Sequence, residues 1–205
     1  MQIDPKTQSS KDNYKLLIGS IVPRPIAFVS TVNAAGRPNL APFSFFNGIC
    51  SNPPAIMFAP VNRGEEGSPK DTLNNILTGK EFVVNVVTED IAEQMNICAT
   101  DYPEDFNEFK ESGLTPAPSV MIKPPRVKES PINFECRLLQ HVPVGKPGTP
   151  KSGNVIIGEV VYFHVADDLY EDGRIDIPKM KPIGRLAGAG YCRVTDLFDM
   201  PRIRY

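Results

Sequence analysis

From Arg24 to Pro60 the chain alternates apolar, β-branched runs with turn residues, a pattern that admits little except strands. Pro25 to Val32 is apolar and β-branched. Ala34-Ala35-Gly36-Arg37 follows as a turn, with glycine supplying a permissive backbone. Asn39 to Phe46 is a second run, and Ala55 to Ala59 a third beyond Pro53-Pro54. The spacing predicts a hairpin leading into a third strand. The link between strands two and three is small and polar: Ser44, Asn47, Gly48, Ser51 and Asn52. Hydroxyls, amides and accessible backbone N–H groups beside a hydrophobic wall suit a flat aromatic ligand with a polar edge.

The rest of the chain agrees with a β-rich fold. Its 205 residues suffice for one domain with a real core, and one domain over 1–205 is expected. Twenty-one prolines break long helices and mark turns. A net charge of −2 argues against a surface that tracks nucleic-acid phosphates. Apolar runs end within about ten residues, half the length of a membrane-spanning helix. The first residues lack the basic-then-apolar pattern of a signal segment, so a cytoplasmic protein is expected. Cys50, Cys98, Cys136 and Cys192 form no CxxC, which predicts free thiols and no metal site.

Ser68 to Gly79 reads as a helix. Ser68 is the expected cap, Pro69 the first helical residue and Asp71 the acidic partner of a capping box. Leu73, Ile76 and Leu77 form its buried stripe. A helix start has free N–H donors and partial positive charge, so it can receive a phosphate. Lys70 and Thr72 add a charge and a hydroxyl there, and Arg63 is near enough to fold over it. The alternative is a capped surface helix with solvated charges. Asp71 opposes a phosphate unless it caps the backbone or meets a sugar hydroxyl.

Glu81 to Val87 is a strand interrupted by Asn85, expected to be a buried amide bonded to backbone. Ile91, Met95 and Cys98 share the inner face of a following helix. A second helix is expected over Glu104 to Ser112, with Phe106 and Phe109 inward. Strands are expected over Pro124–Lys128, Ile132–His141 and Asn154–Val165, the last bulged at Gly158. Gly145 to Gly153 reads as a hairpin loop or lid. Arg24, between Pro23 and Pro25, is either a solvated loop residue or a ligand contact. Three glycines and two alanines from Gly184 to Gly190 allow close backbone approach. They are not a dinucleotide fingerprint. His141 and His164 have no nucleophile at an informative spacing, so both read as structural or solvated and no catalytic side chain is assigned. Asp196 to Tyr205 reads as a tail that needs a partner surface.

Several segments together resemble the flavin reductase-like family, the FMN-binding split-barrel proteins that include flavoredoxin and reductase components of two-component monooxygenases. They are Arg24–Thr31, Asn39–Asn47, Asn52-Pro53-Pro54, Lys70-Asp71-Thr72, Phe82–Asn85 and Arg185–Gly188. The resemblance implies a mainly β, antiparallel Greek-key split β-barrel with peripheral helices, working as a homodimer. It implies FMN as cofactor, NADH or NADPH as electron donor, and a monooxygenase or other redox protein as possible partner. Ser44, Phe45, Phe46 and Asn47 would lie along the flavin ring, with Asn52 at its polar edge. Arg63, Lys70, Asp71, Thr72 and Asn75 would serve the ribityl chain and phosphate. The glycine-rich segment would line the flavin site, from the same or a neighbouring subunit. The implied activity is an NAD(P)H:flavin oxidoreductase. A flavoredoxin-like electron carrier or a flavin-binding sensor would use the same contacts.

Overall fold

The computed structural model describes residues 1–103 and 106–203. It opens with helix α1 (Ser10–Ser20), capped by the Ser9 hydroxyl. Strands β1 (Ala27–Val32) and β2 (Pro38–Phe43) form the predicted hairpin, with Gly36 at φ 77° in the turn. The second strand stops at Phe43, not Phe46. The polar link is itself a strand, β3 (Phe46–Ser51), paired with β4 (Pro54–Phe58). From Asn47 to Ser51 β3 is exposed, so it carries no apolar alternation to betray it.

Helix α2 spans Asp71–Gly79 and β5 spans Glu81–Val86. The helix begins at Lys70 as cap, not at Ser68. Ser68 exchanges two backbone hydrogen bonds with Arg63, both 2.9 Å, and its hydroxyl donates to Glu66. Lys80, at φ 61°, turns the chain out of the helix. Helix α3 (Ala92–Ile97) buries Met95, and flanking Ile91 and Cys98 are buried beside it. Helix α4 is Glu108–Ser112, and the expected start at Glu104 lies outside the described residues.

Two short strands, β6 (Pro116–Ala117) and β7 (Arg126–Val127), precede the long pair β8 (Ile132–Val144) and β9 (Gly153–Val165). Beyond them come β10 (Tyr170–Glu171), β11 (Arg174–Ile175), α5 (Ile177–Met180) and the hairpin β12 (Ile183–Arg185) and β13 (Tyr191–Arg193). The expected bulge at Gly158 puts its extra residue on the other strand, where Leu139 has no partner. Gly158 itself is needed because the Phe82 ring crosses it, with Cζ 2.4 Å from where a Cβ would stand.

Seven strands make one antiparallel sheet in the order β2-β1-β5-β8-β9-β4-β3. Phe43 on β2 and Phe58 on β4 lie near opposite ends of that order, yet their rings are 5.2 Å apart. The sheet therefore curls around its core as a split Greek-key barrel. Phe58, Phe82, Ile76 and Ile156 are fully buried there, each contributing about 2–3 kcal/mol of apolar burial. A second core of Phe28, Leu40, Met95 and Phe109 lies under α3, α4 and β12. Asn85, fully buried, donates to the Phe28 carbonyl at 2.9 Å and accepts from the Val127 N–H at 2.8 Å, as expected of a buried amide.

Candidate functional site

The end of β2 leads into Ser44 and Phe45, which belong to no strand. Their backbone N–H groups donate to no backbone acceptor among the described residues. The Ser44 hydroxyl instead receives Nε of Arg24 at 3.2 Å. Phe45 meets Tyr14 of α1 edge to face, with centroids 6.5 Å apart. Ser44 and Phe45 form one wall of a cleft of about 340 Å³. Arg63, Lys70 and Lys151 also line it, with Asp101 among them. Its volume is that of a small-molecule site.

A second cleft of about 300 Å³ shares Tyr14, Pro42, Phe43, Ser44 and Ala99 with the first. Arg24, Arg185, Gly188 and Tyr191 also line it, so the glycine-rich segment borders this second cleft from its own chain. Its glycines are also packed tightly: a Cβ on Gly184 would stand 2.8 Å from Pro23 Cβ. A wider groove, about 780 Å³, lies between α3 and the β12–β13 hairpin and continues the second cleft through Met95, Asn96, Arg185 and Tyr191. Glu89 and Glu93 line it with Arg185 and Arg193, so its charges balance, and it is a poorer seat for an anion than the cleft at Lys70, where three cations accompany one carboxylate.

Two of the three cations of the first cleft are held by carboxylates. Arg63 pairs with Asp71 at 3.1 Å, and Lys70 pairs with Asp101. Asp71 therefore orients an arginine and does not cap the helix, as the capping-box reading required. Thr72 is buried and donates to Asn39 Oδ1 at 2.9 Å. Asn75 donates to Thr31 at 3.0 Å. Asn39 in turn donates to Glu108 at 2.8 Å. Thr72 and Asn75 brace the helix start against β1 and β2 and do not line the cleft.

Of the expected contacts, the structure brings Ser44, Phe45, Arg63 and Lys70 together, with Asp71 behind Arg63. Phe46 opens β3 and packs against the barrel core. Asn47 is exposed and accepts from the Gly48 N–H at 2.8 Å. Asn52 sits in the exposed turn before β4, away from the cleft within one chain. Tyr14, Asp101 and Lys151 were not expected. Lys151 is far from Arg63 in sequence, and no local spacing pointed to it. Arg24 is neither solvated nor free: it is 4% exposed and donates to the carbonyls of Ile18, Ile21 and Leu186. His141 and His164 are structural, 3.0 Å from Asn154 and 2.6 Å from Glu135 respectively.

All four cysteines are free thiols, and burial pushes Cys98 up to about 11. No helix among the described residues is long and apolar enough to cross a membrane. A planar aromatic bearing a phosphate fits this donor set: the Ser44 and Phe45 N–H groups, an aromatic ring and the cations Arg63, Lys70 and Lys151 line one cleft.

A family model described as a flavin reductase like domain matches residues 18–180. An uncharacterised protein of Halalkalibacterium halodurans is 42% identical over 202 residues, 98% of this chain and 96% of that one. The crystal structure of nitrilotriacetate monooxygenase component B from Bacillus cereus is 42% identical, with a TM-score of 0.93 over 98% of each chain. That of a 2-nitrobenzoate 2-nitroreductase from Pseudomonas fluorescens is 33% identical, with a TM-score of 0.88 over 99% of this chain and 96% of that one. The barrel, the cleft at the end of β2 and the match over most of the length agree, and the chain belongs to the flavin reductase-like family.

Proposed function

We propose that this chain is an NAD(P)H-dependent flavin reductase that binds FMN in the cleft between Ser44-Phe45 and Lys70. The observation that carries the reading is the set of groups gathered in that cleft. Ser44 and Phe45, whose backbone N–H groups have no backbone acceptor among the described residues, line it together with Arg63 and Lys70. That set suits a ring system joined to a phosphate. Bound flavin supplies the hydride-accepting chemistry; the protein binds, orients and shields it.

In this reading the Ser44 and Phe45 amides hold the polar edge of the ring, and Phe45 with Tyr14 covers its apolar part. Phe46 backs that wall from the core. Arg63 and Lys70 neutralise the phosphate. Asp71 aims Arg63, while Thr72 and Asn75 fix the helix start through Asn39 and Thr31. Asn47 and Asn52 take no part within one chain. The adjoining cleft at Arg24 and Tyr191 leaves room for the nicotinamide of NADH or NADPH.

A homodimer belongs to the same proposal. Ile49, Met57, Leu197, Phe198 and Met200 are large apolar side chains at the surface, and a second copy would cover them. The likeness to a monooxygenase component supports delivery of reduced flavin to a partner protein. Anaerobic absorbance of the flavin-loaded protein tests the activity. Bleaching on addition of NADH or NADPH supports the reductase and identifies its donor. Bleaching by dithionite alone replaces it with an electron carrier reduced by a protein, as in flavoredoxin-like proteins.

A further inference from the structure

The loop 145–152 joins the two longest strands, β8 and β9, and its sequence suggests a free lid. The structure clamps it instead. The Asn62 N–H donates to the Ser152 carbonyl at 2.9 Å, and Asn62 Nδ2 donates to the Ser152 hydroxyl at 2.9 Å. Asn154 Nδ2 closes the clamp on Asn62 Oδ1 at 2.9 Å, and both asparagines are buried. Gly67 touches the loop backbone to backbone: a Cβ there would stand 2.4 Å from the Thr149 carbonyl carbon.

The clamp fixes Lys151. Its backbone sits in the left-handed region at φ 63°, an uncommon conformation for a lysine. The residue lines the same cleft as Phe45, Arg63 and Lys70. Arg63 and Lys70 each already face a carboxylate. Lys151 has no ion-pair partner among the described residues. It is the uncompensated positive charge of the cleft.

We propose that Lys151 is the specificity-determining residue for a phosphate monoester in this cleft, delivered by the clamped β8–β9 loop. The inference rests on the flavin reading above. The phosphate monoester of FMN and the 2′-phosphate of NADPH share this chemistry, and binding measurements separate them.

Lys151 is exposed, so Lys151→Met keeps the fold, which circular dichroism verifies. Fluorescence titration of the full chain then gives Kd for FMN and for riboflavin. Removing one charge-assisted contact weakens FMN by about tenfold or more and leaves riboflavin unchanged. Lys151→Arg, which keeps the charge, keeps most of the FMN affinity. A loss confined to the NADPH-to-NADH ratio of KM assigns the residue to the nucleotide phosphate. If Lys151→Met leaves both ratios at their wild-type values, the proposal is wrong. If the wild-type chain binds neither flavin, the flavin reading falls and Lys151 with it; if both flavins bind and no ratio moves, only the role of Lys151 falls.

Discussion

Arg24 holds Ser44 through a hydrogen bond of 3.2 Å from Nε to the hydroxyl, and so ties the chain before β1 to the wall of the cleft. The same guanidinium donates to the carbonyls of Ile18 and Ile21, both at 2.8 Å, and to that of Leu186 at 3.0 Å. One side chain therefore joins α1, the end of β2 and the glycine-rich hairpin.

Arg24→Ala leaves those buried acceptors unpaired and removes the brace behind Ser44. It is expected to cost about 2–4 kcal/mol in urea unfolding and to weaken FMN binding. Arg24→Lys recovers only part, because an ammonium cannot span four acceptors in the plane of a guanidinium. Full stability in Arg24→Ala would show that the brace is not needed.

Glu108 is 7% exposed and accepts from the Leu40 N–H and from Asn39. Burial raises its pKa; the Leu40 and Asn39 bonds oppose that, and nearby Asp71 adds to it. Its contribution to stability is present below the unfolded glutamate pKa of about 4.3 and is lost as pH rises through the raised folded value. Glu108→Gln should therefore gain stability relative to wild type as pH rises above about 4.3. A difference that does not change with pH in urea unfolding contradicts this.

Glu135 carries the opposite sign. It is fully buried, which alone would raise its pKa, but His164 and the Val120 and Met121 N–H groups hold it below the usual range. Both N–H bonds are 2.7 Å. Its contribution is present above the unfolded pKa and lost as pH falls through the depressed folded value. Glu135→Gln is expected to cost about 2 kcal/mol near neutrality, with the difference fading in acid. Thermal unfolding across pH reads it directly.

Gly158→Ala would drive a methyl into the Phe82 ring, which is fully buried and cannot retreat. Overpacking of this kind costs about 1–3 kcal/mol. Phe82→Leu in the same chain should make the alanine cheaper, and a double-mutant cycle measures that coupling. Additive effects would mean that the ring moves aside.

The hairpin, the strand at Glu81 and the inner face of α3 were legible because burial imposes periodicity on Val29, Val83 and Met95. β3 was not, because an edge strand facing solvent has no apolar face to display at Asn47 or Ser51. The start of α2 was misplaced for an electrostatic reason. Arg63 claims Asp71 across a turn, and the Ser68 backbone is already paired with Arg63, so neither half of the capping box forms. Ser44 and Phe45 were expected at the site from composition and resemblance together, and both line the cleft. Lys151 reaches the cleft because Asn62 and Gly67 hold its loop, long-range contacts that no window of sequence contains.

Ala99 lines both adjoining clefts and is itself exposed, so a larger side chain there fills the site without disturbing either core. FMN titration of Ala99→Trp against wild type is the most direct test that flavin binds beside Ser44 and Phe45. The account predicts that the wild-type chain binds FMN and that the folded tryptophan variant loses it. Unchanged FMN affinity in Ala99→Trp would place the flavin elsewhere.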